Sequence, residues 1–333
     1  MNFGIIGAGN IANTFATTIT QMSEPNAYAI ASRSMEKAAE FRDRYGMEKA
    51  YDSYEALAQD PGVDIIYIAT PHSFHYEQAK MCLENGKHVL LEKAFCANAK
   101  QAKEIIDLAE DKGLFLGEAM WTRFMPLAKK LRQMLDDKII GDVMYMTANL
   151  NFPMMHKERL IKAELAGGAL LDVGIYPLTA ASLIMGDNIK TIKATGLLNE
   201  NKCDLVGQYI LTFDEGGIAY LNSGMCFESD GNAVVIGTNG SIVMEGVNFI
   251  RGLRVFDSNH KETEYISFED IEKYPYENGE NITGYEYEVL GCMDAIKKGH
   301  TECPEITHKE TLFMMKTLDE IRKQMGVVYP FDS

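Results

Sequence analysis

The segment Phe3-Gly4-Ile5-Ile6-Gly7-Ala8-Gly9-Asn10-Ile11-Ala12 constrains this chain more than any other. A short apolar run ends in the pattern G-x-G-x-x-A, which calls for a strand, a tight turn and the start of a helix in immediate succession. Gly7 serves the turn, Gly9 lets backbone approach a pyrophosphate, and the small Ala12 permits close helix packing. Asn10 and Ile11 open a helix whose N–H groups would face phosphates. Small-residue turns are common in α/β chains, so the hexamer gains its force from its neighbours in the chain.

Downstream of the hexamer, strand and helix alternate strictly. Tyr28-Ala29-Ile30-Ala31 reads as a buried strand, Ser34 caps a helix that stops at Gly46, and a small helix runs from about Ser53 to Asp60-Pro61. Ile65-Ile66-Tyr67-Ile68-Ala69 is a continuous apolar run, as expected of a parallel strand covered on both faces. His75, Ala79, Cys82 and Leu83 form one helical stripe, His88 to Leu91 the next strand, Ala102 to Ala109 another helix, and Leu114-Phe115-Leu116 a further strand. The reading is an α/β fold class with a doubly wound parallel sheet of the Rossmann type over residues 1–120. From Val143 the pattern changes to longer alternating strands, with a hairpin through Asp214-Glu215-Gly216-Gly217 and a turn at Thr238-Asn239-Gly240. Residues 121–333 therefore form a second α/β domain on a large, mostly antiparallel open sheet, the last helix being free to pack back on the first domain. The stripes Tyr285, Val289, Met293, Ile296 and Met314, Leu318, Ile321, Met325 read as core.

Composition narrows the partners. A chain of 333 residues with 46% hydrophobic content can fill two cores. A net charge of −16 would repel a phosphate backbone, so nucleic acid is not expected as a partner. The first strand starts at residue 2 and no apolar run reads as long as the ~20 residues of a membrane span, so no membrane is expected and the expectation is a cytoplasmic protein. The six cysteines lack C-x-x-C spacing and are expected to be reduced thiols rather than a metal site.

Ligands of such sheets lie outside the carboxyl ends of the strands. The second strand is followed by Ser32-Arg33-Ser34, with no carboxylate for a ribose 2′-hydroxyl but with a guanidinium suited to a 2′-phosphate. This points to NADP as cofactor, with NAD as the alternative. Thr70-Pro71-His72 and His75 follow the fourth strand and would pass near the nicotinamide half; His75 also fits a core position. Glu92-Lys93 closes the next strand and puts an ammonium at the sheet edge. In the glycine-led segment Leu165 to Leu178, Asp172 and Tyr176 stand four apart and would share one helix face, where a carboxylate and a phenol need a polar neighbour or a cavity.

With these elements in order, the sequence resembles the glucose–fructose oxidoreductase, inositol dehydrogenase and rhizopine catabolism (Gfo/Idh/MocA) family. The resemblance covers nearly the whole chain: the glycine turn, Thr70-Pro71 through His75, Glu92-Lys93, and Asp172-Val173-Gly174-Ile175-Tyr176. It is closest to the branch of dimeric dihydrodiol dehydrogenase, because Glu118-Ala119-Met120-Trp121-Thr122-Arg123-Phe124 and Tyr176 are similar to that branch. Ala94 departs from the proline usual after Glu-Lys. The resemblance implies an NADP(H)-dependent oxidoreductase acting on a hydroxyl or carbonyl carbon of a sugar, polyol or diol, with Lys93, Tyr176 and Asp172 as catalytic residues. Lys93 would lower the Tyr176 pKa, Asp172 would orient the substrate or hold Lys93, and Trp121, Arg123 and Phe124 would wall the substrate, with His156 a further proton donor nearby. It also implies a homodimer, or a dimer of dimers, through the second sheet. The rival expectations are an NAD-dependent glycoside hydrolase of the same superfamily and a non-catalytic nucleotide-sensing protein.

Overall fold

The structure, a computed structural model, describes residues 1–271 and 284–332. The chain divides into two compact units, Met1–Trp121 with Lys273–Leu312, and Thr122–Glu272 with Phe313–Ser333.

The first unit is built on a six-stranded sheet in which every paired strand is parallel. Its strands are β1 (Asn2–Ile6), β2 (Asn26–Ala31), β3 (Lys49–Tyr51), β4 (Ile65–Ile68), β5 (His88–Glu92) and β6 (Leu116–Ala119), in the order β3-β2-β1-β4-β5-β6. That is the doubly wound dinucleotide-binding order, with its crevice where the order reverses between β1 and β4. The helices between the strands are α1 (Asn10–Gln21), α2 (Met35–Tyr45), α3 (Tyr54–Gln59), α4 (His75–Glu84) and α5 (Ala99–Lys112). Their ends follow local rules. Ser34 caps α2 by accepting from the Lys37 N–H, Gly46 ends it at φ 65°, and Asn98 caps α5 through the Gln101 N–H. Cys82 is fully buried on the α4 stripe.

Two local expectations need correction. The last strand of this sheet is β6, Leu116–Ala119, not Leu114–Leu116, because Leu114 still closes off the end of α5 past its Gly113 cap, its N–H bonded to Ala109 O. Residues 284–312 group with this unit and not with the second. There α8 (Tyr285–Lys297) packs on α1, and the Leu116 N–H at the sheet edge is taken by Thr301 O at 2.9 Å.

The second unit holds an eight-stranded sheet, ordered β14-β13-β12-β11-β7-β10-β9-β8. Its members are β7 (Val143–Asn151), β8 (Ile189–Leu198), β9 (Asp204–Phe213), β10 (Ile218–Gly224), β11 (Ala233–Gly237), β12 (Gly240–Glu245), β13 (Gly252–Asp257) and β14 (Glu262–Ser267), all antiparallel except the β7–β10 pair. Tyr209, Leu211 and Phe213 turn to the buried face, whereas Ile210 and its cross-strand neighbour Tyr220 are exposed. On the buried side, α6 (Pro126–Asp136) packs on α7 (Ile175–Met185), and α7 packs on β7 and β10. The last helix, α9 (His308–Met325), contributes Met314, Leu318 and Ile321 to the core. The helical stretch Ala163–Met185 is long and apolar enough to cross a membrane, contrary to the sequence expectation, but 89% of its most apolar window is buried inside the protein. Its apolarity is that of a core helix enclosed on all sides.

Candidate active site

The carboxyl ends of β1, β2, β4 and β5 bring the residues expected of a nucleotide site to one edge of the first sheet. Register pairs Ile6 with Ile68, so Gly7 lies beside Ala69 and Thr70. Gly7 has φ +97°, and a Cβ there would stand 2.9 Å from Ala69 O, so both conformation and space require glycine. A Cβ on Gly9 would meet nothing within 4 Å, which leaves the turn open on the side a pyrophosphate would approach. Gly9 caps α1 without a side-chain bond, so the first N–H groups, those of Asn10 and Ile11 among them, are not consumed by a cap. Ala12 is fully buried beneath the turn.

Ser32 is buried and Arg33 exposed just past β2, and among the described residues no carboxylate forms an ion pair with Arg33. The guanidinium is close enough to Tyr54 to act on its phenol, which burial nonetheless holds above its usual pKa. Thr70 Oγ1 donates to Gln78 Oε1 at 2.7 Å, Pro71 begins a short 3-10 turn, and His72 in that turn is buried.

His75 lies within the wall and not on its surface. It is fully buried, with Nδ1 2.9 Å from Ala94 O and Nε2 2.8 Å from Thr70 O. Phe95 O is also 3.3 Å from Nδ1; burial lowers the His75 pKa to about 4, so the ring is neutral and one nitrogen carries the only N–H for three carbonyls. It thereby joins the loop after β4 to the loop after β5.

That second loop carries Glu92 and Lys93. Glu92 is buried, accepts from the Tyr67 hydroxyl, and receives the Lys93 backbone N–H at 3.2 Å. Tyr67 is itself stacked on Phe15 of α1 at 3.7 Å between centroids. Lys93 is half-buried, and the peptide joining it to Ala94 is cis. Trp121 is buried and stacked on Tyr285, 4.7 Å between ring centroids and 2° between planes, so its indole face is occupied within the first unit.

In the second unit, Asp172 and Tyr176 lie in the glycine-led segment that the sequence read as presenting them on one helix face. Leu170–Gly174 form a π turn that runs directly into α7, so Asp172 lies in the wide turn and Tyr176 in the first turn of the α-helix. Such turns displace side chains relative to regular α spacing and recur at functional sites. Gly174 has helical dihedrals, and its role is close approach: a Cβ there would lie 2.7 Å from Ser223 Oγ and 3.2 Å from Tyr209 OH on the sheet beneath. Asp172 is 6% exposed and Tyr176 8%. Asp172 Oδ1 is 2.9 Å from Arg159 Nη1, a partner that sequence reasoning missed. Of the remaining candidates, Arg123 is half-buried, Phe124 is buried and His156 is exposed on the loop after β7.

Comparison with known proteins fits this geometry. Residues 1–119 match the model of an oxidoreductase family with an NAD-binding Rossmann fold, and residues 128–243 match the GFO/IDH/MocA C-terminal domain. The trans-1,2-dihydrobenzene-1,2-diol dehydrogenase of Xenopus laevis is 33% identical over 98% of this chain and 99% of its own. The chain belongs to the Gfo/Idh/MocA family. As a Gfo/Idh/MocA protein it is an NAD(P)-dependent oxidoreductase. The human trans-1,2-dihydrobenzene-1,2-diol dehydrogenase is 31% identical over 100% of this chain and 99% of its own. Among solved structures, a 3-ketoreductase from Actinomadura kijaniata in complex with NADP and TDP-benzene superposes with a TM-score of 0.86 at 25% identity, covering 98% of each chain.

Proposed function

We propose that this oxidoreductase uses NADP(H) and interconverts a secondary hydroxyl and the matching carbonyl on a diol, polyol or sugar. The observation that carries the reading is the polar row at the carboxyl ends of β1, β2, β4 and β5, running from the open Gly9 turn and exposed Arg33 to half-buried Lys93. The residues fit the cofactor: N–H groups at the start of α1 for the pyrophosphate, Ser32 and Arg33 for a 2′-phosphate, and Thr70 to His72 toward the nicotinamide half. NADP, once bound, takes up or gives the hydride. The chain's own residues handle the proton. Tyr176 gives or accepts the proton of the substrate oxygen, Lys93 supplies the positive charge that favours the phenolate, and Asp172, paired with Arg159, orients the substrate hydroxyl. His75 acts through the loops it joins. Relatives named as diol dehydrogenases support the substrate class, which includes vicinal diols.

We further propose a homodimer, or a dimer of dimers, formed through the open face of the second sheet, where exposed Ile210 pairs with exposed Tyr220 and exposed Ile236 pairs with Tyr145 of β7. The test of function is a panel of cyclic trans-1,2-diols, polyols and reducing sugars assayed through nicotinamide absorbance with NADP and with NAD. Turnover with NADP on at least one diol or sugar is expected. Failure of every diol, polyol and sugar with both nucleotides sinks the reading.

A further inference from the structure

The start of the helix carrying Asp172 and Tyr176 is held by residues remote from it in sequence. Gly167 and Gly168 lead into it, and Tyr329, which is 2% exposed, donates its hydroxyl to Gly167 O at 2.7 Å. Asp204, fully buried at the beginning of β9, accepts the Leu170 N–H on Oδ2 at 2.7 Å, one of the donors a helix start leaves over. A Cβ on Gly168 would fall 2.1 Å from Asp204 Oδ1, so the carboxylate is pressed against that bend.

Tyr329 is in turn held from behind. Arg322 of α9, 4% exposed, lies over its ring at 4.5 Å. The same guanidinium grips Asp332 with two N–H groups, at 2.6 and 3.1 Å, and Asp319 at 2.7 Å, while Asp332 Oδ2 takes the Tyr329 N–H at 2.7 Å. A bidentate, buried guanidinium fixes geometry as well as charge. The last turn of chain is thus knotted into a clamp whose working end is one phenol on one carbonyl, three residues ahead of Leu170.

We propose that the carboxyl-terminal clamp, Arg322 with Tyr329 and Asp332, together with Asp204, sets the axial position and rotation of the π turn, making Tyr329 and Asp204 positioning residues for Asp172 and Tyr176. The inference rests on the catalytic reading of Tyr176. Reacting groups displaced by about 1 Å lose on the order of a hundredfold in rate, so a clamp that only partly relaxes costs less than that.

The test uses the full-length protein, the most active substrate of the diol and sugar panel, and hydrogen exchange of the peptides covering residues 168–178. Tyr329→Phe removes a single hydroxyl. It should lower kcat about tenfold and speed exchange across 168–178, with KM and the Kd for NADPH within about twofold, because the nucleotide cradle belongs to the other unit. Asp332→Asn, which loosens the grip on Arg322 without emptying the core, should show the same pattern more weakly and stands in if Tyr329→Phe does not fold. Unchanged kcat in a folded Tyr329→Phe protein overturns the proposal, as does a parallel loss of NADPH affinity, which would mean general loosening. Tyr176→Phe serves as the control. Full activity there defeats the catalytic reading itself, whereas impaired Tyr176→Phe beside normal Tyr329→Phe defeats only the clamp.

Discussion

Arg159 Nη1 lies 2.9 Å from Asp172 Oδ1, an ion pair that compensates a carboxylate with 6% exposure in an otherwise apolar helix. A charge buried to this degree needs partners, and this one comes from a short 3-10 turn (Glu158–Leu160) outside the helix.

Arg159→Ala should therefore impair turnover without touching the nucleotide. The Arg159 side chain is 38% exposed, so solvent screening discounts the pair to about 1 kcal/mol, roughly fivefold in kcat/KM. Arg159→Lys should recover part of it. Steady-state kinetics with NADPH titrations decide the matter: a fall in NADPH affinity equal to the fall in kcat/KM would remove Asp172 from the explanation.

Arg33→Ala should weaken NADPH and spare NADH. A charge-assisted pair with a 2′-phosphate is worth about 1.5–3 kcal/mol, or roughly tenfold to a hundredfold in Kd. Because Arg33 is exposed, the preference should also shrink as salt is raised from low to high. Equal losses for both nucleotides, read by fluorescence titration, would contradict the assignment.

Lys93→Ala and Tyr176→Phe should each reduce turnover by about 10²–10⁴, with nucleotide affinity changed far less. Residues that act as a unit give non-additive losses, so the double variant should be hardly worse than the worse single one. Additive effects in stopped-flow measurements would mean that the two work independently.

Two buried groups should oppose each other in acid. Burial depresses His75 to about 4, so the unfolded chain binds a proton below about 6.5 that the native state refuses; His75 stability is complete above that pH and lost as pH falls through 4. Burial raises Asp204 to about 6, against the Leu170 N–H and the Arg322 guanidinium; its contribution is complete below the unfolded value of about 3.9 and lost as pH rises through 6. Tyr209, Tyr329 and Cys203 are the other titratable groups that act with Asp204. Each shift corresponds to about 3 kcal/mol, of opposite sign. Asp204→Asn should steepen the loss of melting temperature between pH 7 and 5, and His75→Gln should flatten it. Parallel pH profiles for the two variants would count against both burial arguments.

Light scattering at micromolar concentration should give at least twice the 37.2 kDa chain mass. Tyr220→Arg, on the exposed sheet face, should shift the protein toward that single mass while leaving the fold intact. A monomeric wild type would refute assembly through this face.

How much of this was written in the chain depends on how local each cause is. The turn at Gly7, the cap at Ser34, and the buried runs of β1, β2, β4 and β5 arise from conformations and periodicities within a few residues, so the first sheet and its row of polar strand ends were legible. Arg33 and Lys93 could be read because each stands within two residues of the end of such a run. The strands β8, β13 and β14 carry mixed, half-exposed faces with no apolar run or clear turn to mark them. Spacing put Asp172 and Tyr176 on a common helix face, but the π turn at Leu170–Gly174 and the close approach of Gly174 to Ser223 and Tyr209 belong to the folded chain alone. Nothing near Asp172 in sequence announces Arg159, and nothing in the last residues announces that Tyr329 reaches Gly167, since both contacts join segments that only the folded core brings together. For the same reason the return of residues 284–312 to the first unit was invisible: α8 carries an ordinary amphipathic pattern, and which surface buries it is settled by the free face of α1 and the open edge of β6. Short-range sterics and periodicity determine the elements; the burial of polar groups far apart in sequence determines their partners.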